Sequence, residues 1–152
     1  MGLYEPHFRK LITDELRSFN PKLLTPAAVE LLLMTAAHES HFGRYLYQIR
    51  GPALGIFQIE PATHDSIFAN YFNRRYPWFA KRDSHALAGD IGYQVIVARG
   101  IYADKTEPLP AHDDIAGLAA YYKNHWNTYR GAAKVADVIR HYNEYVREGR
   151  GG

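Results

Sequence analysis

Residues 26–41 read PAAVELLLMTAAHESH, from Pro26 to His41, and their reading decides the fold. Thr25 stands just before them, so a capping hydroxyl is followed by proline at the first helical position. Val29, Leu32, Leu33 and Ala36 recur at helical spacing and mark a face for burial. Gly43 supplies a stop. The pattern predicts a core helix running to about His41. Glu39 falls seven residues after Leu32, on nearly the same face. An acid flanked by two histidines therefore ends a helix built for a core. A metal site, a catalytic carboxylate and a solvated helix end are all open readings.

The rest of the chain also reads as helices. Phe8, Leu11, Ile12, Leu16 and Phe19 place a helix over about residues 5–19. Residues 44–61 carry two glycines and two prolines and predict a loop, with a short extended piece near residues 54–59. Pro61 starts a short helix. Residues 73–83 predict a loop with an aromatic cluster around Tyr76 and Trp78. Ser84 caps a long helix over about 85–105, and Asp113 or Asp114 caps another from Ile115. Gly131 separates that helix from a last one. The fold class on this reading is mainly α, with at most a small β element near residues 54–59. No internal repeat or long linker divides the chain, so residues 1–152 are expected to form one domain.

Composition narrows the classes of function. Hydrophobic residues make up 47% of the 152-residue chain and charged residues 22%, an ordinary globular balance. No apolar run approaches the roughly 20 residues of a membrane helix, and stable membrane insertion is not expected. No apolar leader follows Met1, so synthesis in the cytosol without a signal peptide is expected. The absence of cysteine excludes disulfides and thiolate chemistry. A net charge of +2 and twelve tyrosines suit an anionic or sugar polymer without singling one out.

The chemistry candidates centre on Glu39. His38 and His41 are three apart, whereas the zinc-protease helix places its histidines four apart around a glutamate. A third ligand would have to come from elsewhere, for instance His64. No metal or other cofactor is expected. A carboxyl on the buried side of a helix C-terminus is desolvated and faces the negative end of the helix dipole. Both effects favour the protonated form that a general acid needs. The plainer alternative is a buried glutamate paired with Arg44 or Arg50. Downstream, Gly51 and Gly55 precede an apolar-Gln-apolar triplet, and Gln58 offers both a donor and an acceptor to a polar substrate.

These residues resemble the lytic transglycosylase domain of the lysozyme-like superfamily. Glu39-Ser40 match its Glu-Ser pair at a helix end. Gly55-Ile56-Phe57-Gln58-Ile59 match its Gly-apolar-Met-Gln-Ile motif, with Phe57 where methionine is usual. Pro61 and Thr63 match the Pro-x-Thr that follows. Ala120-Tyr121 resemble the start of its Ala-Tyr-Asn motif, with Tyr122 in the Asn position. Gln48 stands where the family often has a serine. The resemblance covers about residues 25–145 and implies a lysozyme-like α-helical domain.

It also implies an activity: cleavage of the β-1,4 bond between N-acetylmuramic acid and N-acetylglucosamine in peptidoglycan. Glu39 would act as general acid and then base. Ser40, Gln48, Gly55, Phe57, Gln58 and Tyr121 are the implied substrate-binding residues, with Phe57 as a groove wall or ordinary core. Lytic transglycosylation, giving 1,6-anhydro ends, is the leading expectation. Hydrolysis with a second carboxylate, Glu60 or Asp65, is the alternative, and Glu60 could instead only cap the helix at Pro61. Tyr76 and Trp78 could stack on sugars. A basic, tyrosine-rich module for single-stranded nucleic acid leaves the Glu39–Gln58 spacing unexplained, and nucleic acid is not an expected partner. The expected partner is the glycan strand, met by a monomer. The expected delivery is by a phage, through a holin pore or with the virion.

Overall fold

The computed structural model describes residues 2–127 and 132–149. The chain is mainly helical, with 62% helix against 2% strand. The elements are α1 (Glu5–Phe19), α2 (Pro26–Ser40), α3 (Pro61–Ile67), α4 (Asn73–Arg75), α5 (Ala86–Gly89), α6 (Ile91–Ala103), α7 (Ile115–His125) and α8 (Val135–Tyr142). A π-helical turn, Phe68–Phe72, joins α3 to α4, so residues 61–75 form one continuous helical stretch. A second π-helical turn, Asn143–Arg147, extends α8. The break expected at Gly131 lies outside the described residues.

α2 is the axis of the molecule. Thr25 caps it as the sequence predicts, its hydroxyl accepting from the Ala28 N–H at 3.1 Å. The predicted single buried face is too narrow, however. Leu31, Met34, Thr35 and Ala37 are buried as well as Leu32, Leu33 and Ala36. A helix apolar on all sides belongs inside a bundle, and α1, α6, α7 and α8 all pack against α2. The one acid within its first half, Glu30, is 6% exposed. Arg9 binds it through two nitrogens at 2.7 and 2.9 Å, and the Tyr142 hydroxyl donates to it at 2.6 Å. This partly buried pair ties α1, α2 and α8 together, and its geometry is the bidentate one that offsets desolvation best.

The end of α2 is unusual. His41, Phe42 and Gly43 all adopt left-handed backbone, with φ of 50°, 62° and 88°. Glycine accepts this freely, but each non-glycine residue costs roughly 1 kcal/mol. Phe42 is fully buried against Phe8, which returns about 2 kcal/mol. Both the His41 and Phe42 N–H groups donate to the Ala36 carbonyl, closing the helix end.

The expected β element reduces to two isolated bridges, Tyr47 to Leu54 and Leu54 to Ile59. The expected long helix over 85–105 is two. Asp90 interrupts it and caps α6 by accepting from the Tyr93 N–H at 3.0 Å. At the next helix Asp114, not Asp113, is the cap, bound to the Gly117 N–H at 2.9 Å.

Candidate active site

A cleft of about 900 Å³ opens beside the C-terminal end of α2. His38, Glu39 and His41 line one side, and Tyr45, Tyr47, Gln48 and Ile49 form a second wall. Gln58, Glu60 and Thr63 come from the 53–63 segment, while Lys105, Trp126 and Asn127 close the far side. The walls mix polar and aromatic side chains.

Glu39 is partly exposed to this cleft, where α2 emerges from the core. The Tyr122 hydroxyl, on fully buried α7 surface, donates to its Oε2. Burial pushes the Glu39 carboxyl up to about 7, and the Tyr122 hydrogen bond opposes that shift only in part. Burial and the neighbouring carboxylate in turn raise the Tyr122 phenol, which stays protonated. Among the described residues neither Arg44 nor Arg50 pairs with Glu39. Arg44 lies over the Tyr45 ring instead. A carboxyl that is half protonated at neutral pH, oriented by one donor and open to a cleft, can give a proton to a bound oxygen and take one back.

Two of the expected substrate-binding residues reach the cleft. Gln58 lines it, held by its own left-handed backbone (φ 49°) and by donation from Nε2 to the Gly55 carbonyl at 2.9 Å. Gln48 lines it too, but its Oε1 accepts from the Ala53 N–H at 3.0 Å and so pins the loop of residues 48–53.

Four of the expected substrate-binding residues do not line the cleft, and each has a structural role. Ser40 is fully buried; its hydroxyl accepts from the Gly43 N–H at 2.7 Å and holds the end of α2. Gly55 makes its close backbone approach to the protein itself, since a Cβ there would stand 1.7 Å from the Leu87 carbonyl oxygen. Phe57 is fully buried against Phe8 and Trp126, so it is core and not a groove wall. Tyr121 points its hydroxyl at the Glu107 carbonyl, 2.8 Å away, while its neighbour Tyr122 is the one that meets Glu39.

The remaining candidates separate as clearly. Glu60 makes no side-chain cap bond at α3 and lines the cleft. Asp65 lies outside the cleft lining and pairs with Lys81 at 2.8 Å. His64 is buried against the Tyr93 hydroxyl at 2.7 Å, away from His38 and His41. Among the described residues no group of three or more histidine or acid side chains is arranged to hold a metal. Tyr76 and Trp78 pack on Phe19 at the end of α1, outside the cleft.

The sequence reading missed Tyr122, Trp126 and Lys105. For Tyr122 a signal existed: it occupies the third position of the Ala-Tyr-Asn-like stretch. Searches against family models, curated proteins and solved structures found no match to this chain.

Proposed function

We propose that the protein cleaves the glycan strand of peptidoglycan at its β-1,4 bond, with Glu39 as the general acid. The single observation that carries this reading is the Glu39 carboxyl, raised to about 7 by burial, on the wall of the cleft. Its protonated form would deliver a proton to the glycosidic oxygen as positive charge develops on the sugar. The carboxylate left behind would then take a proton from the attacking hydroxyl. The motif resemblance around residues 39–63 supplies the substrate class. The cleft supplies a site that fits a polymer: it is open, polar at Gln58, Lys105 and Asn127, and aromatic at Tyr45, Tyr47 and Trp126.

Attack by the muramic 6-hydroxyl, giving a 1,6-anhydro end, needs no second acid, and we favour it. Glu60 is the reason to keep hydrolysis as a second reading, because among the described residues it is the other carboxylate on the cleft. Delivery by a phage through a holin or with the virion, and action as a monomer on the cell wall, complete the proposal. The test is clearance of purified sacculi by the protein and by Glu39→Gln. Clearance lost in the variant supports the reading. Equal clearance by both would remove Glu39 from the chemistry.

A further inference from the structure

The proposed chemistry leaves the two histidines of the HESH stretch unused, and both meet a third histidine, His141 on α8. The Nδ1 atoms of His38 and His141 lie 2.8 Å apart. The His41 ring centroid stands 5.0 Å from that of His141, and its Nδ1 lies 3.1 Å from the Tyr145 hydroxyl. His38 also meets the Tyr122 ring edge to face, with centroids 5.6 Å apart. Tyr122 in turn donates to Glu39, the residue next to His38.

Two imidazole nitrogens at this distance can share one proton and no more. One must donate and the other accept. When both rings are imidazolium, both Nδ1 atoms carry hydrogen and the contact opens. The charged groups around the pair are few. Arg140 and His41 oppose a second proton, whereas Asp137 and Glu144 favour it. From α7 the Tyr122 ring meets His38 edge to face. No carboxylate among the described residues forms an ion pair with His38 or His141; the one histidine so paired is His125, with Glu107.

We propose that His38 and His141 form a one-proton clasp between α2 and α8 that positions Tyr122 against Glu39, and that double protonation of this clasp sets the acid limit of the site. Burial lowers the His38 imidazole to about 4, with His141 as the next cause, and burial lowers His141 as well. The clasp is therefore closed at neutral pH and opens on acidification. Glu39 has the opposite role. It is protonated on the acid side, so its own titration limits activity on the alkaline side. His38 and His141 are positioning residues, acting on Glu39 through Tyr122. The activity part of this inference rests on the function proposed above; the clasp itself does not.

Imidazole 15N NMR of the whole protein tests the clasp without any substrate. His38 and His141 should titrate as a pair, in two steps separated by more than one pH unit. Independent titration of the two rings with similar midpoints would overturn the clasp, whatever the activity. The pH profile on sacculi tests its consequence. In His141→Asn the carboxamide takes the place of Nδ1; its nitrogen donates to neutral His38 and its oxygen accepts from the imidazolium, so the contact survives protonation of His38 and has no second titration. Its acid limb should move to lower pH, with KM within about twofold. His141→Ala, which cannot hold His38, should lower kcat at least tenfold with little change in KM. An acid limb unmoved in His141→Asn would overturn the link to the site. Coupled titration in a protein that never cleaves sacculi would leave the clasp standing and sink the proposed function instead.

Discussion

The Tyr122 hydroxyl donates to the Glu39 carboxylate, so α7 holds the acid that ends α2. The bond does two things. It orients the carboxyl toward the cleft, and it stabilises the ionised form against the burial that favours the neutral one. Tyr122→Phe removes both effects while keeping the packed ring. The Glu39 midpoint should rise, moving the alkaline limb of activity up by about one pH unit. The loss of a hydrogen bond to a charged group and of orientation should lower kcat about tenfold. A pH–rate profile on sacculi measures both. An alkaline limb that stays in place would show that Tyr122 does not govern Glu39.

Glu39 should weaken the fold at alkaline pH. Its carboxyl titrates near its ordinary value of 4.5 when unfolded and at about 7 in the fold. The folded state therefore binds the proton more tightly. Its contribution is most favourable below pH 4.5 and is lost as pH rises to 7. Above that, the fold carries the cost of a desolvated carboxylate, about 1–3 kcal/mol. Glu39→Gln carries no such charge. Its Tm should exceed that of the parent protein at pH 8, and the difference should vanish near pH 4.5. The histidine clasp is common to both proteins and cancels in the comparison. A Gln variant less stable at pH 8 would contradict the buried-acid account.

Gly55 should be irreplaceable for reasons of packing. Its φ is +83°, and an added Cβ would fall 1.7 Å from the backbone oxygen of Leu87. Neither can yield cheaply, because Gln94 also fills the space while accepting from the Ile56 N–H at 2.8 Å. Gly55→Ala should cost about 3 kcal/mol or more. Gly89→Ala is the control. The nearest atom to its Cβ is His85 Nε2 at 4.0 Å, and no left-handed backbone is required there. That change should be neutral or stabilising by about 0.5 kcal/mol. Denaturant midpoints of the two variants measure the contrast.

The sequence discloses the fold better than the site, and the reason is physical. Apolar spacing placed α1, and proline, Thr25 and the Asp113-Asp114 pair placed the starts of α2, α3 and α7, because each acts within a turn of where it stands. The long helix over 85–105 failed because Asp90 competes for the backbone as a cap inside an apolar stretch. At the site, Glu39 was legible, although by an argument about one buried face where the whole helix is buried. Tyr121 was named in place of Tyr122. Adjacent helical residues point about 100° apart, so only the packing of α7 on α2 decides which one meets Glu39. Phe57 and Gly55 carry motif positions yet serve the core, a distinction that needs the tertiary neighbours Phe8, Trp126 and Leu87. His141 lies 103 residues from His38, beyond any local pattern.

Glu60 decides between the two product chemistries. It lines the cleft and makes no capping bond that would explain it structurally. If Glu39 works alone, Glu60→Gln should retain activity within a few-fold. If Glu60 activates water, the loss should be about 100-fold or more, the scale expected for a general base. Initial rates of sacculus clearance distinguish the two.

The most direct measurement of the central claim is mass spectrometry of purified sacculi digested with the protein and with Glu39→Gln. The account predicts soluble muropeptides from the parent protein, one water lighter than hydrolysis products and ending in 1,6-anhydro sugar, and none from the variant. Ordinary reducing ends would replace transglycosylation with hydrolysis at the same site. The absence of soluble muropeptides from the parent protein, or their release by both proteins alike, would contradict Glu39 as the acid of a peptidoglycan-cleaving enzyme.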